Sequence, residues 1–169
     1  MSNGNRQHAA HPNGGGAAKR PDLSDRPASL QVSREVVLSP ERVYEAFTTR
    51  RFEDWFAARG TLSMRAEEGA PFFFATEHEG KRHPHYGRFL KLDPARRIEM
   101  TWLTEDGTHG AETVLTITLE PSARGTSISL RHEGFSDTET MERHREAWPS
   151  VLARLDSPSE AAGADMPPR

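Results

Sequence analysis

Three local patterns, in a set order, constrain this chain more than any other feature. Ser39-Pro40-Glu41-Arg42-Val43-Tyr44-Glu45-Ala46-Phe47 reads as a capped short helix near the start. Gly125-Thr126 opens a late alternating strand, and Trp148-Pro149-Ser150-Val151-Leu152-Ala153-Arg154-Leu155 reads as the apolar face of a helix near the end. Almost everything between them has the pattern of strands. One strand, two short helices, a run of strands and a final amphipathic helix predict an α+β fold in which a curved antiparallel sheet wraps around the C-terminal helix. Such a shape encloses an interior, and the functional question is what that interior holds.

The individual elements follow from spacing. Residues 30–38 alternate as a strand should. Ser39 then offers an N-cap oxygen, and Pro40 takes the first helical position, where a missing N–H is no loss. Val43, Tyr44 and Phe47 give that helix one apolar face, and Phe52, Trp55 and Phe56 predict a second short helix from Arg51 to Ala58, stopped by Gly60. A weak strand at 61–67 is followed by stronger ones at 72–77, 81–92, 98–102, 113–119 and 128–132. Their short connections argue for antiparallel pairing. Ser136 with Glu139 has the spacing of a capping box, which starts the last helix there. Pro149 lacks the N–H that would reach Arg145, so a kink or an opened turn is expected at 145–149.

The 169 residues suit one domain. Residues 1–27 contain a single leucine and no valine, isoleucine or aromatic residue, so they are expected to form a disordered polar tail. Residues 157–169 read the same way, which leaves a folded body at 28–156. With no cysteine, disulfide and thiol chemistry are excluded. The net charge of -3 is spread through mixed-sign sequence and offers nothing to nucleic acid. No secretory or membrane-spanning pattern is present, so a cytoplasmic protein without membrane attachment is expected.

Arg34, Pro40, Val43, Ala46, Phe47, Trp55, Phe56, the Phe72 and Phe74 pair, Gly87 in Tyr86-Gly87-Arg88-Phe89, Asp93-Pro94, Trp102, Gly125-Thr126, Leu130 with His132, and Trp148 with Leu152 and Leu155 form a recognisable series. In order and spacing it resembles the START-like SRPBCC superfamily, in the AHSA-type branch of bacterial homologues of the activator of heat-shock protein 90 ATPase. The likeness spans about 30–156. It departs at Gly69-Ala70-Pro71, where that branch usually has two glycines, and at Ala147, where it commonly has one. The resemblance implies a helix-grip (START/Bet v 1-like) fold around an apolar cavity that binds hydrophobic molecules. The side chains expected to line it are Trp55, Phe72, Phe74, Tyr86, Met100, Trp102, Leu115, Ile117, Leu130, His132, Trp148 and Leu152.

Polar candidates are few. His83 and His85 share one strand face and His78 lies across the hairpin, but no third ligand stands at a zinc spacing, so these read as hairpin histidines and no metal or other cofactor is expected. His132 alternates with Ile128 and Leu130 and points inward; it is a hydrogen-bonded wall residue or, with Tyr86, an acid–base pair. Glu77, Glu112 and Asp93 read as solvated. Three function classes remain: a non-catalytic binder of a small hydrophobic molecule, a module that docks on a chaperone or other protein partner, and a cyclase- or hydrolase-type enzyme using His132. Apolar inward candidates outnumber polar ones, which favours the first. The expected assembly is a monomer or weak homodimer.

Overall fold

The computed structural model describes residues 18–157. Its elements are β1 (Ala28–Val36), α1 (Pro40–Thr48), a 3-10 turn (Arg50–Asp54), β2 (Pro71–His78), β3 (Lys81–Asp93), β4 (Arg97–Trp102), α2 (Glu105–Thr108), β5 (Thr113–Pro121), β6 (Thr126–Phe135), α3 (Thr138–Ala153) and a closing 3-10 turn (Arg154–Asp156). The strands form one six-stranded curved sheet in the order β1-β6-β5-β4-β3-β2, with every neighbouring pair antiparallel. Consecutive strands from β2 to β6 are neighbours, as short connections dictate. The chain leaves β1 at one edge, passes through α1 and the 3-10 turn, and re-enters the sheet at the opposite edge. Helix α3 then returns to lie mainly against β1.

Local chemistry accounts for the helix starts. Ser39 Oγ accepts the Arg42 N–H at 3.4 Å and Pro40 opens α1, as its sequence requires. The start of α3 differs by one residue from the capping-box reading: Asp137, not Ser136, is the N-cap and accepts the Thr140 N–H at 2.7 Å. A carboxylate placed there also meets the positive end of the helix dipole. The hydrogen bonds from the Thr140 backbone and side chain hold the Asp137 carboxyl below its ordinary value of 3.8.

That depression predicts a pH dependence. A carboxylate whose folded-state pKa is lowered contributes its full stabilisation above the unfolded value, near 3.8, and loses it as the pH falls through the lower folded value. Asp137→Asn should keep a capping oxygen and lose this acid-side dependence. Asp137→Ala should lower the melting temperature at neutral pH as well. Thermal unfolding of the three proteins between pH 7 and 3 measures both effects, and identical acid-side curves for parent and Asn variant would refute the assignment.

Four expectations are corrected. The second short helix shrinks to the 3-10 turn, because Ala58 N–H bonds Ala75 O on β2 and draws the chain away from a helical path. The strand at 61–67 reduces to a single bridge, Ser63 to Phe73. Helix α3 runs unbroken through Pro149, without an opened turn, since Trp148, Val151 and Leu152 are buried and packing holds the turn in place. The presumed tail at 1–27 is the fourth. Its first part lies outside the described residues, but residues 18–27 sit on the outer face of the sheet through Arg20, Leu23 and Arg26. The Arg20 guanidinium, which reaches both Glu99 and Glu133, adds an attachment that a count of apolar residues overlooks. The C-terminal tail call, apart from Ser157, also lies outside the described residues.

The aromatic interior as candidate functional site

The concave side of the sheet is filled by rings from elements far apart in sequence. Trp55 enters from the end of the 3-10 turn and is oriented by its Nε1–H, which donates to Ala46 O of α1 at 2.9 Å. Its ring meets Phe47 edge-on at 4.9 Å and Phe52 at 5.5 Å. Phe52 in turn meets Phe74 of β2 at 4.8 Å, and Phe56 lies 5.6 Å from Trp102 of β4 and 6.2 Å from Trp148 of α3. Edge-to-face and offset contacts of this kind add to the burial energy of each ring. The gap bounded by Phe47, Phe52, Trp55, Phe56, Met100, Trp102, Leu115 and Trp148 does not admit a water-sized sphere. At this gap the cavity implied by the resemblance is therefore occupied by the chain's own side chains.

Of the expected lining residues, Trp55, Phe72, Phe74, Met100, Trp102, Leu115, Ile117, Leu130, His132, Trp148 and Leu152 are all buried. Tyr86 is not among them. It is 50% exposed and meets the Phe73 ring at a tilt, 5.3 Å away, on the other face of the β2–β3 hairpin. Alternation along β3 puts Tyr86 outward because His85 and Gly87 point inward, so the inward aromatic of that segment is His85. The His85 ring lies flat on Phe74 at 4.7 Å and edge-on to Trp102 at 5.2 Å, and its Nδ1 bonds His83 O at 2.8 Å. His83 faces Asp106 of α2 at 3.0 Å instead. That contact, with Lys81, holds the Asp106 carboxyl below its ordinary range. Among the described residues no cluster of three or more metal-binding side chains is formed.

His132 is fully buried and its surroundings define its protonation. The Trp148 indole can only donate, and its Nε1–H points at His132 Nδ1 at 3.3 Å, so Nδ1 is an acceptor. Nε2 then carries the hydrogen and donates to Thr113 Oγ1 at 2.7 Å, while the Thr113 hydroxyl donates to Trp102 O at 2.6 Å. The chain Trp148 to His132 to Thr113 to Trp102 is saturated from end to end. A proton added at Nδ1 would face the indole N–H, donor against donor. With Tyr86 on the opposite face, the acid–base pair considered from the sequence is not assembled.

His144 of α3 is also buried, edge-on to His132 at 5.3 Å with its Nδ1 2.8 Å from Thr140 O, whereas Glu112, Glu77 and Arg34 lie outside the interior or at its margin. Glu112 pairs with Arg88 at 3.4 Å and Glu77 is exposed. Arg34 shares the inner face of β1 with Leu30 and Val36, and its Nε is buried without a hydrogen-bond partner among the described residues. Where the start of α1 meets the β3–β4 turn, an open groove of ≈ 510 Å³ is lined by Pro40, Glu41, Arg96, Arg97, Thr118 and Glu120. It combines both charge signs with apolar wall from Pro40, Ala95, Leu119 and Pro121, and it lies open to solvent rather than enclosing a ligand. None of the described helices is long and apolar enough to cross a membrane.

Comparison with known proteins agrees with this geometry. Protein CV1439 from Chromobacterium violaceum is 29% identical over 79% of this chain and 99% of its own, with a TM-score of 0.66. The AHSA1 protein SPO3351 from Silicibacter pomeroyi is 25% identical over 77% of this chain and 96% of its own, with a TM-score of 0.65. CalU16 from Micromonospora echinospora, 20% identical over 78% of each chain with a TM-score of 0.58, shares the fold. A search of curated proteins gave no match. Residues 38–159 match the family described as activator of Hsp90 ATPase homolog 1-like protein, a stretch that takes in α1, the sheet from β2 to β6 and the C-terminal helix, and the chain belongs to that family.

Proposed function

We propose that this protein binds a small hydrophobic molecule in the seam between the sheet and α3, without catalysing a reaction on it, and that it does so in the cytoplasm. The carrying observation is the convergence of rings from α1, the 3-10 turn and the residues just after it, β4 and α3 on one gap with purely apolar and aromatic walls. The inward polar group best placed for chemistry, His132, has both ring nitrogens engaged by Trp148 and Thr113. Catalysis needs a convergent set of available polar groups, and binding of an apolar molecule does not. Because the gap is closed, entry requires rings to part. Phe52, Trp55 and Phe56 sit on and just after the short 3-10 turn, which belongs neither to the sheet nor to a long helix, and they form the movable wall.

The closed interior also supports a second reading, a protein-interaction module in the sense of the family description. Its outward aromatic pair, Tyr86 and Phe73, then becomes a contact candidate. The two readings separate experimentally. Native mass spectrometry of the purified protein should reveal a co-purified small molecule, and an environment-sensitive apolar dye should bind with quenching of tryptophan fluorescence. Leu115→Trp fills the seam and should abolish that binding, at a stability cost of about 1 to 3 kcal/mol from overpacking. Leu115→Met, close in volume, should leave it intact. Dye binding unchanged by Leu115→Trp in a folded protein would move the site out of the seam and leave the interaction reading.

A further inference from the structure

The segment ahead of β1 is seated on the sheet by three side chains spaced three residues apart. Arg20 bonds Glu99 of β4 through one guanidinium nitrogen and Glu133 of β6, at 2.6 Å, through the other. Leu23 lies against Gly134, where an added Cβ would come within 2.7 Å of the leucine Cδ2. Arg26 Nη1 donates to Gly134 O at 3.0 Å. Glu99 and Glu133 point outward, since Met100 and His132 beside them point inward. Strand β5 runs between their strands, so Arg20 spans β5. Val114 of β5 stands opposite both Glu133 and Thr101, and Val114 and Thr101 are buried although they belong to this outer face.

We propose that this outer face is a docking surface for a basic–apolar–basic segment of a partner protein, spaced Arg-x-x-Leu-x-x-Arg and turned between its leucine and second arginine as Leu23 to Arg26 are, and that residues 20–26 occupy it in cis until such a segment displaces them. The seated residues themselves show which chemistry the face accepts. Two carboxylates receive one guanidinium, a glycine with φ of +91° leaves a notch for a leucine, and its carbonyl receives a second guanidinium. The notch depends on glycine twice over, because the left-handed backbone and the leucine both exclude a Cβ.

The segment is built to detach. Glu99 retains Arg97 at 3.0 Å and Glu133 retains Arg131 at 3.3 Å when Arg20 leaves, so no acid is stranded without a counter-charge. Arg20 itself is 41% exposed at its side chain, and partly exposed pairs contribute little individually. These contacts hold the segment with help from its covalent attachment to β1, which raises its effective concentration at the face. A partner segment of the same pattern competes against that advantage, whereas an acidic segment is repelled.

The test uses the full chain and a labelled peptide with the sequence of residues 18–27. Arg20→Glu combined with Leu23→Asp releases the segment, and Arg20→Ala is the milder variant should the first fold poorly. Fluorescence anisotropy at low salt should show the peptide binding the released chain about tenfold or more tightly than the parent, as removal of a tethered competitor predicts. Adding Glu133→Arg to the released chain should remove that gain, and Val114 and Thr101 amide signals should shift with the peptide. Equal binding to parent and released chains overturns the proposal, as does binding that is indifferent to Glu133→Arg.

Discussion

Trp148→Ala should lower the unfolding free energy by about 3 to 5 kcal/mol, a large part of the stability of an ordinary domain. Trp148 is buried on α3, with its ring 5.9 Å from Trp102 and 6.2 Å from Phe56. The gap beside it has no room for a water molecule, so truncation leaves a void that neighbouring rings fill only in part. The substitution also removes the indole donor from His132 Nδ1. Trp148→Phe separates the two effects: it keeps most of the ring and loses the N–H, and should cost about 1 to 3 kcal/mol for the lost hydrogen bond together with the smaller ring. Urea unfolding measures both, read as midpoint shifts at constant slope. A cost below about 1 kcal/mol for Trp148→Ala would show that the helix does not seal the interior as described.

Gly87→Ala should be as damaging, for the opposite reason. Gly87 of β3 stands opposite Phe72 of β2, and a Cβ there would overlap both the Phe72 ring and the carbonyl oxygen of Thr101. The ring has little freedom to move aside, since it packs 5.3 Å from Phe89 and 6.2 Å from Phe74. A carbonyl oxygen of the sheet backbone has no rotamer to change. Overpacking ordinarily costs about 1 to 3 kcal/mol, and a backbone overlap places this substitution at or above the upper end. Gly60→Ala is the control: its φ is +76° but none of the described residues lies within 4 Å of the new Cβ. It should lose only the left-handed backbone preference, about 1 to 2 kcal/mol. Comparable midpoints for the two variants would mean that the Phe72–Gly87–Thr101 contact is looser than described.

Much of the architecture can be read from short windows because its causes are local. Ser39 and Pro40 announce α1 since a cap and a first-turn proline act within four residues. The strands from 72 to 132 declare themselves through period-two alternation and short connections. Where local signals compete, the reading slips by a residue or loses an element. Ser136 and Asp137 are both good caps, and only the observed bond to Thr140 selects the second. Phe52, Trp55 and Phe56 carry a helical spacing, yet the bond from Ala58 to β2 leaves only a 3-10 turn.

The interior shows where such reasoning stops. Alternation says that Tyr86 and His85 point to opposite faces of β3; it does not say which face the sheet curls around. The pairing of β3 with β2 and the approach of Phe56 and Trp102 make His85 the inward ring. The saturated chain from Trp148 through His132 and Thr113 to Trp102 joins four elements, so no window contains it. Arg20 and Glu99 are 79 positions apart, and a segment with one leucine looks unattached until two carboxylates meet across β5. The sequence by itself determined the order of elements, their antiparallel pairing, most helix starts and the apolar character of the interior, since these depend on backbone sterics and short-range periodicity. Only the tertiary structure decided which residues face inward on β3, that the ring-lined gap beside Trp148 is filled rather than hollow, and that residues 18–27 lie on the outer face. Those outcomes depend on the summed volumes and charges of side chains that the chain brings together from far apart.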